Sequence, residues 1–175
     1  MRSIDMQIRG VDVEARTLTG IVAPYNETTY QVPGGERIMR NAFNRSVQQR
    51  TNLIPLCVNH DHSTAVGMST AWVNESDGLV GTFAFRDTEL GLRALRDAQD
   101  NVFECLSVGF MPLEQIRARD GVIEILEGRL VEVSLVLAGA YDGARVLAVR
   151  AQNQLAELLK PFSNPPTIDL SPVVF

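Results

Sequence analysis

Apolar and polar residues alternate in short runs along most of the chain, and glycine, proline, asparagine and aspartate separate the runs. That pattern predicts many short strands joined by turns. Residues 1–23 read as strand segments, and "TLTGIVAPY" alternates until Pro24 stops it. The stretch 24–36 carries Pro, Asn and a Pro-Gly-Gly turn and is expected to be a loop. "NAFNRSVQQR" predicts a short helix over 41–50 with Asn41 as its N-cap. "NLIPLCVNHDH" predicts a strand ending in a polar cluster, and Pro55 sets that strand near a sheet edge or bulge.

Further along, "SDGLVGTFAF" reads as the second half of a hairpin turned at Asp77-Gly78. Residues 88–99 predict a helix, because Thr88 can cap it and Leu92, Leu95 and Ala98 recur at helical spacing. Strands return as "FECLSVGFMPL", "GVIEILEG" and "RLVEVSLVLA", with Asp120-Gly121 turning the chain between the first two. Residues 143–160 read as a last helix whose apolar face is Leu155, Leu158 and Leu159. The tail beyond it holds four of the eight prolines and is expected to be extended or disordered unless a partner holds it. The division is a 1–150 main domain followed by a 151–175 helix end and tail. The fold class expected is α+β and β-dominated: a closed or nearly closed barrel of about six to eight mostly antiparallel strands with peripheral helices.

Composition narrows the function classes. The 175 residues suit one domain with a sizeable core, at 45% hydrophobic and 21% charged. No apolar run is long enough to span a bilayer, and "MRSIDMQIRG" lacks a secretory core, so no membrane association and a cytoplasmic location are expected. A net charge of −5 without a basic cluster disfavours nucleic acid as partner. Cys57 and Cys105 lie far apart without Cys-x-x-Cys spacing, which argues against a disulfide framework and a structural zinc. No phosphate loop is present, Asp61 beside two histidines lacks a third ligand at metal spacing, and no cofactor or metal is expected.

Candidate chemistry sits at Ser107. In "CLSVGF", Leu106, Val108 and Phe110 point one way, while Cys105, Ser107 and Gly109 point the other. A serine hydroxyl needs an adjacent base, usually histidine with its unperturbed pKa near ~6.5. The chain has only His60 and His62, both in "VNHDH", so a nucleophilic serine must draw on that segment. Taken alone, the two histidines fit polar decoration of a strand end. In "RLVEVSLVLA", Val131, Val133, Leu135 and Leu137 make one face, and Leu130, Glu132, Ser134 and Val136 the other. Glu132 among aliphatic neighbours needs a partner if buried. Composition favours an arginine on a neighbouring strand; a histidinium is the functional alternative. Cys105 or Cys57 as nucleophile is a further alternative, although a cysteine in an apolar strand is more often a small buried hydrophobe.

The blocks "TGIVAPYNE", "ERIMRNAF", "IPLCVNHDHSTAVGMST", "SDGLVGTFAF", "TELGLRALRDA", "LSVGFMPLE" and "LVEVSLVLAGAYDGARV" follow in one order. Together they resemble the prohead (capsid maturation) proteases of tailed bacteriophages, the group related to the herpesvirus assemblins, over roughly residues 15–150. The resemblance implies a serine endopeptidase on a β-barrel with surrounding helices. It implies His60 as base, Ser107 as nucleophile and Glu132 as the acidic member, a position held by histidine in the herpesvirus relatives. His62 looks incidental by the same match. "LAGAYDGARV" departs from the proline and asparagine that many members carry there.

The implied role is packaging inside the procapsid in the host cytoplasm, cleavage of scaffold segments of the major capsid protein, and then self-cleavage. The relatives suggest activation by crowding or by assembly into a homodimer or higher oligomer, with the proline-rich end as a removable extension. The alternative on the same fold is a catalytically silent assembly or scaffold protein. An oxyanion hole is required, with the loops near 119–121 and 139–143 as candidates.

Overall fold

The computed structural model describes residues 8–30, 32–49 and 54–137. Among these residues nine strands form one sheet: β1 (Ile8–Asp12), β2 (Thr17–Pro24), β3 (Thr28–Thr29), β4 (Glu36–Ile38), β5 (Pro55–Val58), β6 (Gly67–Asn74), β7 (Gly78–Phe85), β8 (Phe103–Arg117) and β9 (Ile123–Leu137). Two α-helices accompany them among the described residues, α1 (Asn44–Gln49) and α2 (Glu89–Gln99). The strand order is β1-β2-β7-β6-β5-β9-β4-β3, and β8 pairs with β9 on its other side. Pairing is antiparallel except that β4 and β5 both run parallel to β9, one near each of its ends.

The β-dominated class holds, but the expected closed barrel does not. The sheet curls into a half-barrel, and among the described residues the helices around it are few. The reason lies in its margins: β1 pairs only with β2, β8 pairs only with β9, and no ladder joins the two among the described residues. The core lies on the concave apolar face. Leu18, Phe43, Leu56, Phe83, Leu106 and Leu135 are all fully buried there. Each such side chain contributes roughly 1.5–3 kcal/mol by leaving water.

Local signals set several boundaries. β2 ends at Pro24 as expected, and Asp77-Gly78 turns β6 into β7, with Glu75 N–H donating to the Gly78 carbonyl at 3.0 Å. The Thr88 hydroxyl caps α2 by accepting from Gly91 N–H at 3.1 Å. Other expectations need correcting. Asn41 does not cap α1; it sits at φ 69° in a turn, and its carbonyl accepts from Asn44 N–H before the helix begins. Pro55 does not mark an edge. It opens β5, a strand flanked by β6 and β9, where the first position tolerates a missing N–H. The helix expected over 143–160 and the tail after it lie outside the described residues.

"GVIEILEG" and "RLVEVSLVLA" are not two strands but one, the 15-residue β9. Gly128 continues it because Phe43 packs over that position, and a Cβ there would approach Phe43 Cε1 at 2.6 Å. Register shifts are absorbed by bulges instead. Gly109 faces Glu132 and Phe110 faces Leu130, so Val131 has no opposite residue. The bulge switches faces: Leu130 joins Val133 and Leu135 in the core, although simple alternation groups it with Glu132.

Candidate active site

The site is built on the face of β8, β9 and β5 that turns away from the core. Antiparallel register sets Ser107 opposite Ser134 and Gly109 opposite Glu132. Directly opposed residues point to one face with Cβ atoms about 4.5–5.5 Å apart. Parallel register sets Cys57 beside Ser134, while Leu56 and Val58 fall beside the core residues Val133 and Leu135. Glycine at 109 is what makes room: a Cβ there would collide with Glu132 Oε1 and stand 3.1 Å from Glu132 Cδ.

His60 enters from the end of β5. Asn59 and His60 both adopt the left-handed region, at φ 50° and 60°, which breaks the strand after Val58. Asparagine and histidine tolerate this conformation better than branched residues do. Asn59 N–H still reaches the Leu135 carbonyl at 3.0 Å, so the break stays anchored to β9. Beyond it, Asp61 accepts from both the N–H (2.9 Å) and the hydroxyl (2.6 Å) of Ser63 and caps the short turn His62–Thr64. Those two bonds, the hydroxyl first, hold the Asp61 carboxyl below its ordinary range. Asp61 therefore serves the turn, and the described residues contain no group of three acidic, histidine or cysteine side chains placed to hold a metal. His62 is exposed on that turn.

The partner of Glu132 is His60, not the arginine that composition favoured. Nδ1 of His60 lies 2.6 Å from Glu132 Oε1, with the histidine side chain 24% exposed and the glutamate 2% exposed. An ionised carboxylate only accepts, so in the neutral imidazole this bond assigns the proton to Nδ1 and leaves Nε2 as the acceptor. The second carboxylate oxygen is occupied as well: the Ser134 hydroxyl donates to Oε2 at 2.5 Å and accepts from the His60 backbone N–H at 3.1 Å. Among the described residues no hydrogen bond joins Ser107 to His60. Ser107 is held by strand register, half-buried on the same face.

The thiols sit differently from a reactive cysteine. Cys57 is fully buried, and burial first, then the charges of Glu132 and Asp61, push its pKa up to about 11. A thiol so placed stays protonated at neutral pH and is a poor nucleophile. Cys105 is also buried. The 119–121 turn is removed as an oxyanion candidate. It closes the far tip of the β8–β9 hairpin, beyond Arg117, itself ten residues along β8 from Ser107, a distance of roughly 30 Å at strand rise. The 139–143 loop lies outside the described residues.

Pattern reading did not single out Ser134 and Gly109. The signal was present in both cases, a small polar or glycine residue at a position where a strand would otherwise take valine, on the face shared with Glu132 and Ser107.

Comparison with known proteins bears on family and fold. A family model described as "Caudovirus prohead serine protease" matches residues 3–160. Among solved structures, the capsid assembly protease of bacteriophage T4 is similar with a TM-score of 0.52 at 11% identity, covering 70% of this chain and 81% of that one. At that identity the likeness concerns the fold. No curated protein sequence matches significantly.

Proposed function

The chain belongs to the caudovirus prohead serine protease family, and from this premise we propose that it cleaves peptide bonds with Ser107 as nucleophile, His60 as base and Glu132 as the acid that orients the base. The observation that carries the reading is the 2.6 Å bond between His60 Nδ1 and a buried Glu132, on the strand face that Ser107 shares. Nε2 of His60 takes the Ser107 proton as Oγ attacks the scissile carbonyl carbon. The tetrahedral intermediate collapses as the imidazolium returns that proton to the leaving amine. Water, deprotonated by the same nitrogen, then attacks the acyl-serine ester, and the imidazolium returns the proton to Ser107 Oγ as the acid product leaves. Throughout, Glu132 stabilises the charged imidazolium and keeps its Nδ1–H in place.

The substrate proposed is the scaffold segment of the major capsid protein inside the procapsid, followed by the protease itself. Assembly into a homodimer or higher oligomer within the shell is the proposed trigger, with 1–150 as the protease domain and 151–175 as the removable end. The test is co-expression with the cognate coat protein, comparing wild type and Ser107→Ala by intact mass. Truncated coat protein with wild type, and a loss of ~10³-fold or more in the variant, is the expected result. Equal truncation in both would remove Ser107 from the mechanism. Truncation in neither would favour the silent assembly protein.

A further inference from the structure

We infer that Ser134 is a positioning residue of this site: its one hydroxyl ties the carboxylate of Glu132 to the backbone of His60 and so fixes where the imidazole stands. The inference rests on the reading of Ser107, His60 and Glu132 given above. Ser134 is fully buried in β9, a position where a strand would ordinarily take valine or isoleucine. A hydroxyl there must find partners, and it finds two, both in the site. It donates to Glu132 Oε2 at 2.5 Å and accepts from His60 N–H at 3.1 Å.

Each bond answers a specific need. Glu132 accepts from His60 through Oε1 only, so without Ser134 its buried Oε2 has no donor among the described residues and the carboxylate can swing about its side-chain torsions. His60 stands in the left-handed region directly after another left-handed residue, a backbone that must be held by its surroundings. The Ser134 oxygen accepts the N–H that this conformation directs at β9. One atom therefore references both members of the pair to the same strand. That strand also carries, through its register, the position of Ser107 opposite Ser134.

The consequence is kinetic. Loss of the hydroxyl leaves Ser107, His60 and Glu132 in the chain but lets the imidazole drift, and misplacement by about 1 Å is enough to cost on the order of 10²-fold in rate. The test uses the full-length protein and a fluorophosphonate probe, whose covalent step requires an activated serine but none of the substrate's specificity contacts. Labelling is followed over probe concentration for wild type, Ser134→Ala and Ser134→Cys, together with the thermal midpoint of each. Cysteine keeps the shape but donates weakly. The expected result is a maximal labelling rate lower by about 10²-fold in a folded variant, with half-saturating probe concentration little changed.

A wild-type maximal rate in either folded variant would overturn the inference. So would failure of both to fold, since the hydroxyl would then be a structural strut. Failure of the underlying reading is distinguishable: Ser107→Ala or His60→Gln would then label as wild type does, whatever happens at Ser134.

Discussion

The β8–β9 hairpin is one long, bulged ladder with two unlike ends. At its inner end Ser107, Gly109, Glu132 and Ser134 share a face on which Glu132 and Ser134 are fully out of water. At its outer end Met111, Leu113 and Ile116 of β8 stand in solvent, Leu113 at 56% exposure. Outer polar groups are tied by contacts such as Arg37 to the exposed Asp120 at 3.1 Å and Arg117 to the Gly121 carbonyl at 2.6 Å, both open to solvent. Water can replace any of those partners. It cannot replace those of Glu132, whose oxygens accept, among the described residues, only from His60 and Ser134. The same strand pair therefore specifies geometry at one end and tolerates change at the other.

That contrast can be broken most sharply at Glu132. Glu132→Ala leaves the His60 ring N–H and the Ser134 hydroxyl without their acceptor, and turnover should fall by about 10³-fold or more, by analogy with removal of the third member of a serine triad. Chemical denaturation should show a stability loss of about 1–3 kcal/mol from the same orphaned groups. Gly109→Ala comes next. Its methyl would take the place of Glu132 Oε1, so the carboxylate must move or β8 must bend. A stability loss of about 1–3 kcal/mol, with activity down at least tenfold per folded molecule, is expected. Unchanged activity would show that the close approach is not needed.

Cys57 tests the contrast without touching the polar chain. Its thiol titrates in the folded state at about 11, above its ordinary value, so the neutral form is favoured by folding. Its contribution to stability is complete below the ordinary thiol range and is lost as pH rises through 11. Iodoacetamide at pH 8 should therefore leave both the thiol and the activity intact, with alkylation measured by mass accelerating only at strongly alkaline pH. Rapid inactivation at pH 8 would favour a cysteine hydrolase. The smallest effect is expected at the outer end, where Leu113→Ser should change stability by no more than about 0.5 kcal/mol and leave turnover unaltered.

What the sequence made legible was whatever depends on near neighbours in the chain. The Asp77-Gly78 turn, the Thr88 cap and the outward face of Cys105, Ser107 and Gly109 need only local conformation and period-2 alternation. Two histidines in one segment limited the base to two candidates. Features that depend on through-space partners were not legible. The run 123–137 reads as two strands because Gly128 looks like punctuation until Phe43 is seen packed over it. Val131 looks like a core residue until the bulge opposite Gly109–Phe110 moves Leu130 inward in its place. Whether Glu132 meets an arginine or a histidine depends on β5 running parallel to β9, a pairing that no local pattern encodes. Closure of the barrel fails for the same kind of reason, since it depends on whether distant margins pair.

The most direct test of the account is to map where an active-site probe attaches. Intact protein is treated with a fluorophosphonate and digested, and the modified peptide is sequenced by tandem mass spectrometry. A single adduct on Ser107 is expected, lost in His60→Gln and in Glu132→Ala under conditions where both variants remain folded. An adduct on any other residue, or one on Ser107 that survives the loss of His60, would contradict it.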